Sequence, residues 1–245
     1  MTSVRKLPWK TERRVVISKS RILIFLLALA GVGEVNGQTE DTNGAFEFWS
    51  RMDIRWVTKK SIQHDFEFQY RNQQRVASLQ ERFQLYTFRW YIQKRWDDFY
   101  LQSSPVTFFE RRTNEGTVIS EYRLTQNVGW FLMKDKFQIR SGLEARFFWS
   151  EGSHFEEIRW RSRLLYSMPV SDKLKVQLSD EIFFHERTSG IETPFFDQNR
   201  TSLGINYKFT THWSVDSGYQ FQVRSFTQDH TDNFNVFYFY LTYQI

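Results

Sequence analysis

From about Phe46 to Ile245 the chain is a succession of runs in which apolar side chains, many of them aromatic, alternate with polar or charged ones. Val176, Leu178, Ile182 and Phe184 alternate with Lys175, Gln177, Ser179 and Glu181, and Asp180 is the one lapse on the apolar side. Asn199, Thr201, Leu203, Ile205, Tyr207 and Phe209 alternate in the same way with Arg200, Ser202, Gly204, Asn206 and Lys208. A period of two is that of a β-strand with one apolar face and one wet face. It predicts strands near 44–57, 61–73, 79–95, 98–110, 118–133, 135–149, 155–168, 173–187, 196–209, 212–226 and 233–245. Soluble strands average five or six residues, whereas a tilted membrane strand needs about 9–11 in the hydrocarbon.

These runs predict an all-β fold, a closed antiparallel transmembrane β-barrel over residues 44–245. The runs number eleven, but single-chain bacterial barrels have an even number of strands. The expectation is therefore ten or twelve, with twelve preferred and 79–110 the stretch that hides the discrepancy. Short connections at 58–60, 96–97, 134–135, 170–172 and 210–211 alternate with longer polar ones at 74–78, 111–117, 151–154, 188–195 and 227–232. Short periplasmic turns and longer outer loops are the barrel pattern.

The beginning of the chain changes the picture from fold to location. Basic residues up to Arg21 precede the apolar run from Ile22 to Ala30, and small residues lead to Val35-Asn36-Gly37. This is the layout of a signal peptide over 1–37, cut before Gln38, followed by a polar tail at 38–43. The alternative, an N-terminal anchor helix, is opposed by the shortness of the apolar run. Seven basic and two acidic residues give the leader a charge of +5, equal to that of the whole chain, so the remainder is neutral. No basic face remains to argue for nucleic acid as a partner. The chain has no cysteine, which excludes disulfides, thiolate metal sites and a lipid-anchored N-terminal cysteine. The expected setting is the bacterial outer membrane after Sec-type export, with outer-membrane lipid and the barrel-assembly machinery as partners. No sequence feature sets an oligomeric state.

Aromatic residues make up 18% of the chain, more than soluble domains usually carry. Trp130, Trp149, Trp160 and Trp213 fall near strand ends, where a membrane interface holds a ring with a polar tip. The competing explanation is core filling in a soluble β-sandwich. The closing run Phe237, Phe239, Leu241, Tyr243 and Ile245 places five bulky apolar residues on one face, expected to meet the membrane.

Opposite the apolar faces lies a dense set of charges. They are Glu121 and Arg123, then Arg140, Glu144 and Arg146 beside Gln138, then Glu157, Arg159, Arg161 and Arg163. Lys175, Glu181, Arg200, Asp216 and Arg224 follow, and Asp65, Glu67 and Arg71 come earlier in the chain. A charge facing lipid at mid-membrane costs about 2–4 kcal/mol, so this face is expected to line the lumen. Arginine and glutamate from adjacent strands can then pair and fill it. The ladder Arg159-Arg161-Arg163 could instead line a path for anions.

Among His64, His154, His185, His212 and His230, only His185 has a catalytic placement, on the polar face near a strand end with Glu181 two same-face positions inward. A carboxylate-oriented imidazole could activate a nucleophile in a lipid-modifying hydrolase or acyltransferase. No Gly-x-Ser-x-Gly elbow or His-x-x-x-His pair accompanies it, and no enzymatic role, metal or cofactor is predicted. Glu192, Asp229 and Asp232 sit in loops without the spacing of a cation site. Asn199-Arg200-Thr201 matches a glycosylation sequon, which an exported bacterial protein does not use.

One further pattern is a resemblance. The run Phe196-Asp197-Gln198-Asn199-Arg200-Thr201 through Tyr207-Lys208-Phe209, then Trp213 and Gly218-Tyr219, resembles a recurring piece of an uncharacterised family of small outer-membrane barrels common in Bacteroidota. The closing Asn235-Val236-Phe237 through Ile245 is similar to that family's end. The resemblance implies a barrel in the outer membrane and no catalytic residues. Together these readings predict a barrel with a charged, largely filled lumen, either structural or a narrow conduit for small polar solutes. Its alternatives are a lipid-modifying enzyme using His185 and a soluble periplasmic β-sandwich.

Overall fold

In the computed structural model, residues 45–58, 61–74, 83–113, 118–133, 135–150, 153–186, 195–225 and 231–245 are described. The leader, the polar tail, Glu192, Asp229 and His230 lie outside them. The described residues form eleven strands: β1 (Ala45–Val57), β2 (Ile62–Gln74), β3 (Phe83–Trp96), β4 (Phe99–Thr113), β5 (Val118–Leu132) and β6 (Phe137–Ser150). They continue as β7 (Ser153–Pro169), β8 (Leu174–His185), β9 (Phe196–Lys208), β10 (Trp213–Ser225) and β11 (Thr231–Gln244). Each begins and ends within four residues of the position that the alternation predicts. Among the described residues no helix is long and apolar enough to cross a membrane, a fact that does not bear on strands.

Every strand pairs with its sequence neighbour, and β1 pairs with β11, so a single sheet closes on itself. This corrects two expectations. A sandwich needs two packed sheets, and there is one. The expected ten or twelve strands are eleven, because the closing pair is parallel, with Phe48 opposite Phe237 and Met52 opposite Leu241. Antiparallel neighbours all round the barrel require an even number. One parallel pair removes that requirement and leaves the start of β1 and the end of β11 at opposite ends of the barrel.

The connections differ from expectation in part. At one end they span two to four residues, and at the other two, four, five, eight and ten, so the β4–β5 and β6–β7 links are as short as turns. Asp97 and Asp135 take positive φ of 43° and 66° in the short turns, a conformation that Asp tolerates better than most residues.

Among the described residues of the 79–110 stretch, 83–110, there is a bulge and no further strand. Ser104 and Pro105 on β4 stand opposite Tyr91 alone on β3, and the register on β5 shifts at the same place. Proline donates no ladder hydrogen bond, so a bulge is where a strand can hold it. Ser104 and Thr107 share a hydroxyl hydrogen bond of 2.6 Å across it, and the Tyr122 hydroxyl donates to the Pro105 carbonyl at 2.5 Å.

Burial is inverted relative to a soluble protein. Among the described residues, nineteen buried ones are polar or charged against nine apolar ones, while thirty large apolar side chains are exposed, most of them on the outward face of the strands. Trp130, Trp149 and Trp160 are all on that face, as are Phe237 and Phe239. Leu241 and Tyr243 are half-buried against neighbours, Tyr243 lying 4.7 Å from the Trp213 ring, and Ile245 is exposed. Near the short-turn end, Trp56, His64, Phe66 and Trp90 stack in series with centroids 5.0–6.1 Å apart.

Candidate functional site: the charged lumen

Away from the bulges in β4 and β9 the inward residues follow from parity, because a side chain on the lumen side has its next same-side neighbour two residues on. Three strands, β5 to β7, supply a chain of alternating charges at the end with the longer loops. Arg123 Nε donates to Glu121 Oε1 at 2.5 Å and Arg123 Nη1 to Glu144 Oε1 at 3.1 Å. Arg146 Nε donates to the same Glu121 oxygen at 2.6 Å, and its Nη1 reaches Glu157 at 3.1 Å. Arg159 bridges Glu144 at 2.5 Å and Asp197 at 2.7 Å. Both acids and the arginine are buried, and each charge has a partner of opposite sign, the condition under which burial of charge is tolerated.

Asp197 joins this network through a local irregularity. Phe183 pairs with Gln198 but Phe184 with Phe196, so Asp197 is an extra residue in β9. A bulge re-aims side chains, and here both Asp197 and Gln198 are buried. His185 is held between Glu157, which contacts Nδ1, and Asp197, whose Oδ1 lies 3.2 Å from Nε2. Glu181 is not its partner. That carboxylate instead accepts from Arg140 Nη2 at 2.6 Å and faces Arg200 Nη1 at 3.9 Å. Among the described residues no group of His, Asp and Glu is arranged to hold a metal ion; Glu157 and Asp197 already serve Arg146 and Arg159.

A second network lies on β1 to β3, on one side of the seam. Arg51 pairs with Asp53 at 3.0 Å and Glu67 at 3.5 Å, Arg89 pairs with Glu67, and Arg55 Nε donates to Asp65 at 2.5 Å. Arg51, Asp53, Arg55 and Arg89 are absent from the residues singled out in the sequence. The signal was there: Phe48, Met52 and Ile54 mark one face of β1, so the residues between them face the lumen. Trp49 breaks the polar reading of that face and is almost fully buried.

Between the networks remains a cavity of about 350 Å³. Arg51, Arg55, Arg71, Arg89, Arg123, Arg140, Arg159, Arg161, Arg163 and Arg200 line it, against Asp53, Asp65, Glu67, Glu181 and Asp216. The wall is thus locally rich in positive charge although the chain after residue 37 is neutral. Of the other predicted lumen residues, Arg224 lies 3.8 Å from Glu47, and Lys175 is exposed at the short-turn end of β8. Tyr238 packs against two glycines: a Cβ at Gly204 would collide with its hydroxyl, and one at Gly218 with the Leu203 carbonyl and that hydroxyl.

Residues 46–235 match the model of a family described as a protein of unknown function, DUF2490. The chain belongs to the DUF2490 family. The match takes in β9 and β10, the strands that carry the resemblance, and stops at Asn235 within β11. Among solved structures, this DUF2490 chain is similar to a NanC porin in a rhombohedral crystal form, with 10% identity over 78% of this chain and 92% of that one and a TM-score of 0.44. No curated protein matches it.

Proposed function

We propose that this DUF2490 protein is an integral outer-membrane barrel whose lumen is a narrow conduit for small polar solutes. The observation that carries the reading is the inverted wall: large apolar side chains such as Phe48, Phe68, Leu143, Leu203 and Phe237 are exposed on the outward face, while arginines and carboxylates are buried on the inward one. In lipid every backbone group needs an internal partner, and a closed barrel supplies one without an edge. The stacked Trp56, His64 and Trp90 at one rim suit a membrane interface. The leader-like N-terminus supports export, with outer-membrane lipid and the assembly machinery as the partners met on the way.

In this reading His185 belongs to the charge network of the wall. Among the described residues neither ring nitrogen bonds a hydroxyl; both face carboxylates. His185→Ala is expected to lower the temperature at which the barrel unfolds in detergent and to leave lipid composition unchanged. An altered lipid profile on comparing membranes of the two strains would instead establish the enzyme reading.

The conduit is tested with liposomes. The protein should stay in membranes through an alkaline carbonate wash and, once reconstituted, let liposomes swell in small neutral solutes such as glycine. Release by carbonate would overturn the membrane placement, and retention without swelling would leave a purely structural barrel.

A further inference from the structure

Most lumen arginines are neutralised by carboxylates, but three cavity residues are not. Arg71 donates through Nε and Nη2 to Gln69 Oε1 at 3.1 and 2.8 Å. Arg163 donates to Gln138 Oε1 at 3.2 Å, and Arg200 to Gln222 Oε1 at 3.0 Å. An amide oxygen orients a guanidinium without cancelling its charge. Among the described residues Arg71 and Arg163 have no carboxylate within ion-pair distance, and Arg200 has Glu181 at the outer limit of 3.9 Å. Arg163 Nε and, on the same strand, Arg161 Nε and Nη2 are buried with no hydrogen-bond partner.

The register groups these charges. Arg140, Arg163, Glu181 and Arg200 form one row across β6 to β9, with a single carboxylate for three guanidinium groups. From the other side Arg71 and Arg200 meet over one ring: their guanidinium carbons lie 3.9 and 5.3 Å from the centroid of Trp49. A planar guanidinium over an aromatic face keeps N–H donors in its own plane, so such a contact is compatible with binding an anion. All of these residues line the same cavity. A buried arginine whose charge is uncompensated is costly unless something brings the missing negative charge.

We infer that the lumen holds an oxyanion-binding constriction, built from Arg71, Arg163 and Arg200, that takes the carboxylate or phosphate group of a small solute. The glutamines keep the three guanidinium groups pointed into the cavity, and the solute supplies the counter-charge in passage. The inference rests on the conduit reading for passage but not for binding, and two measurements separate them.

The first is the unfolding temperature of the detergent-purified protein on unboiled gels, with citrate or inorganic phosphate against sodium chloride of equal ionic strength. The second is the reversal potential across a planar bilayer under a potassium chloride gradient. Citrate or phosphate should raise the unfolding temperature above the chloride control, and chloride should permeate roughly threefold or more over potassium, the kind of bias that a like-charged, low-dielectric cleft imposes. Arg71→Gln with Arg200→Gln should abolish both effects. In case that pair fails to fold, Gln69→Glu with Gln222→Glu keeps each arginine and gives it a carboxylate, and should abolish both effects while leaving the barrel at least as heat-resistant. Stabilisation without conductance would keep the site and overturn the conduit. Conductance with neither anion preference nor stabilisation would overturn the site and keep the conduit. Phosphate acting without citrate, or the reverse, would assign the head group.

Discussion

Glu144 shows at the level of one residue how this wall is held. It receives Arg159 at 2.5 Å and Arg123 at 3.1 Å, with Arg161 at 3.5 Å, from two neighbouring strands and its own row. Removing one partner of a buried pair leaves an uncompensated charge, at a cost of about 3–5 kcal/mol. Glu144→Ala should lose stability of that order in urea unfolding from detergent or lipid, while Lys175→Ala, at an exposed rim position, should change it by less than about 0.5 kcal/mol. The inward placement of such residues was legible in the sequence because parity survives ignorance of the partner strand. Which charges meet was not. His185 and Glu181 share a face, but four strand residues span about 13 Å, too far to touch. The true partners come from β7 and from a bulge in β9 that no alternation announces.

Among the elements, the strands themselves could be read almost to their ends, and the departures have local causes. Pro105 interrupts the β4 ladder, and the bulge it occupies switches the inward parity from Gln102 and Ser104 to Thr107 and Phe109. A reader of periodicity meets this as a strand gone wrong. The number of strands is also in the pattern, whose eleven runs match eleven strands; the even-number rule presumes antiparallel closure, which the parallel seam lacks. The parallel β1–β11 seam can be tested directly because the chain has no cysteine of its own. Ser50 and Phe239 are register partners across it. Ser50→Cys with Phe239→Cys should form a disulfide on mild oxidation of the folded protein, since adjacent strands bring Cα atoms within the roughly 4.4–6.8 Å that a disulfide spans. Ser50→Cys with Tyr219→Cys, one strand further round on β10, should not. Equal cross-linking of both pairs, read as reducible gel shifts, would contradict the seam.

In the whole molecule one sheet, closed on itself, separates an apolar outer wall from a charged lumen. That inversion accounts for a mean hydropathy as low as −0.56, because half of each strand serves the lumen. A sheet with no open edge, and with most of its inner charges paired out of easy reach of solvent, is expected to resist SDS until it is heated. The most direct test is electrophoresis of the purified mature protein in SDS with and without boiling. The account predicts that the unboiled protein migrates as a compact species, distinct from the boiled one, and that the two converge on heating. A single mobility under both conditions, with solubility in the absence of detergent, would contradict the closed membrane barrel.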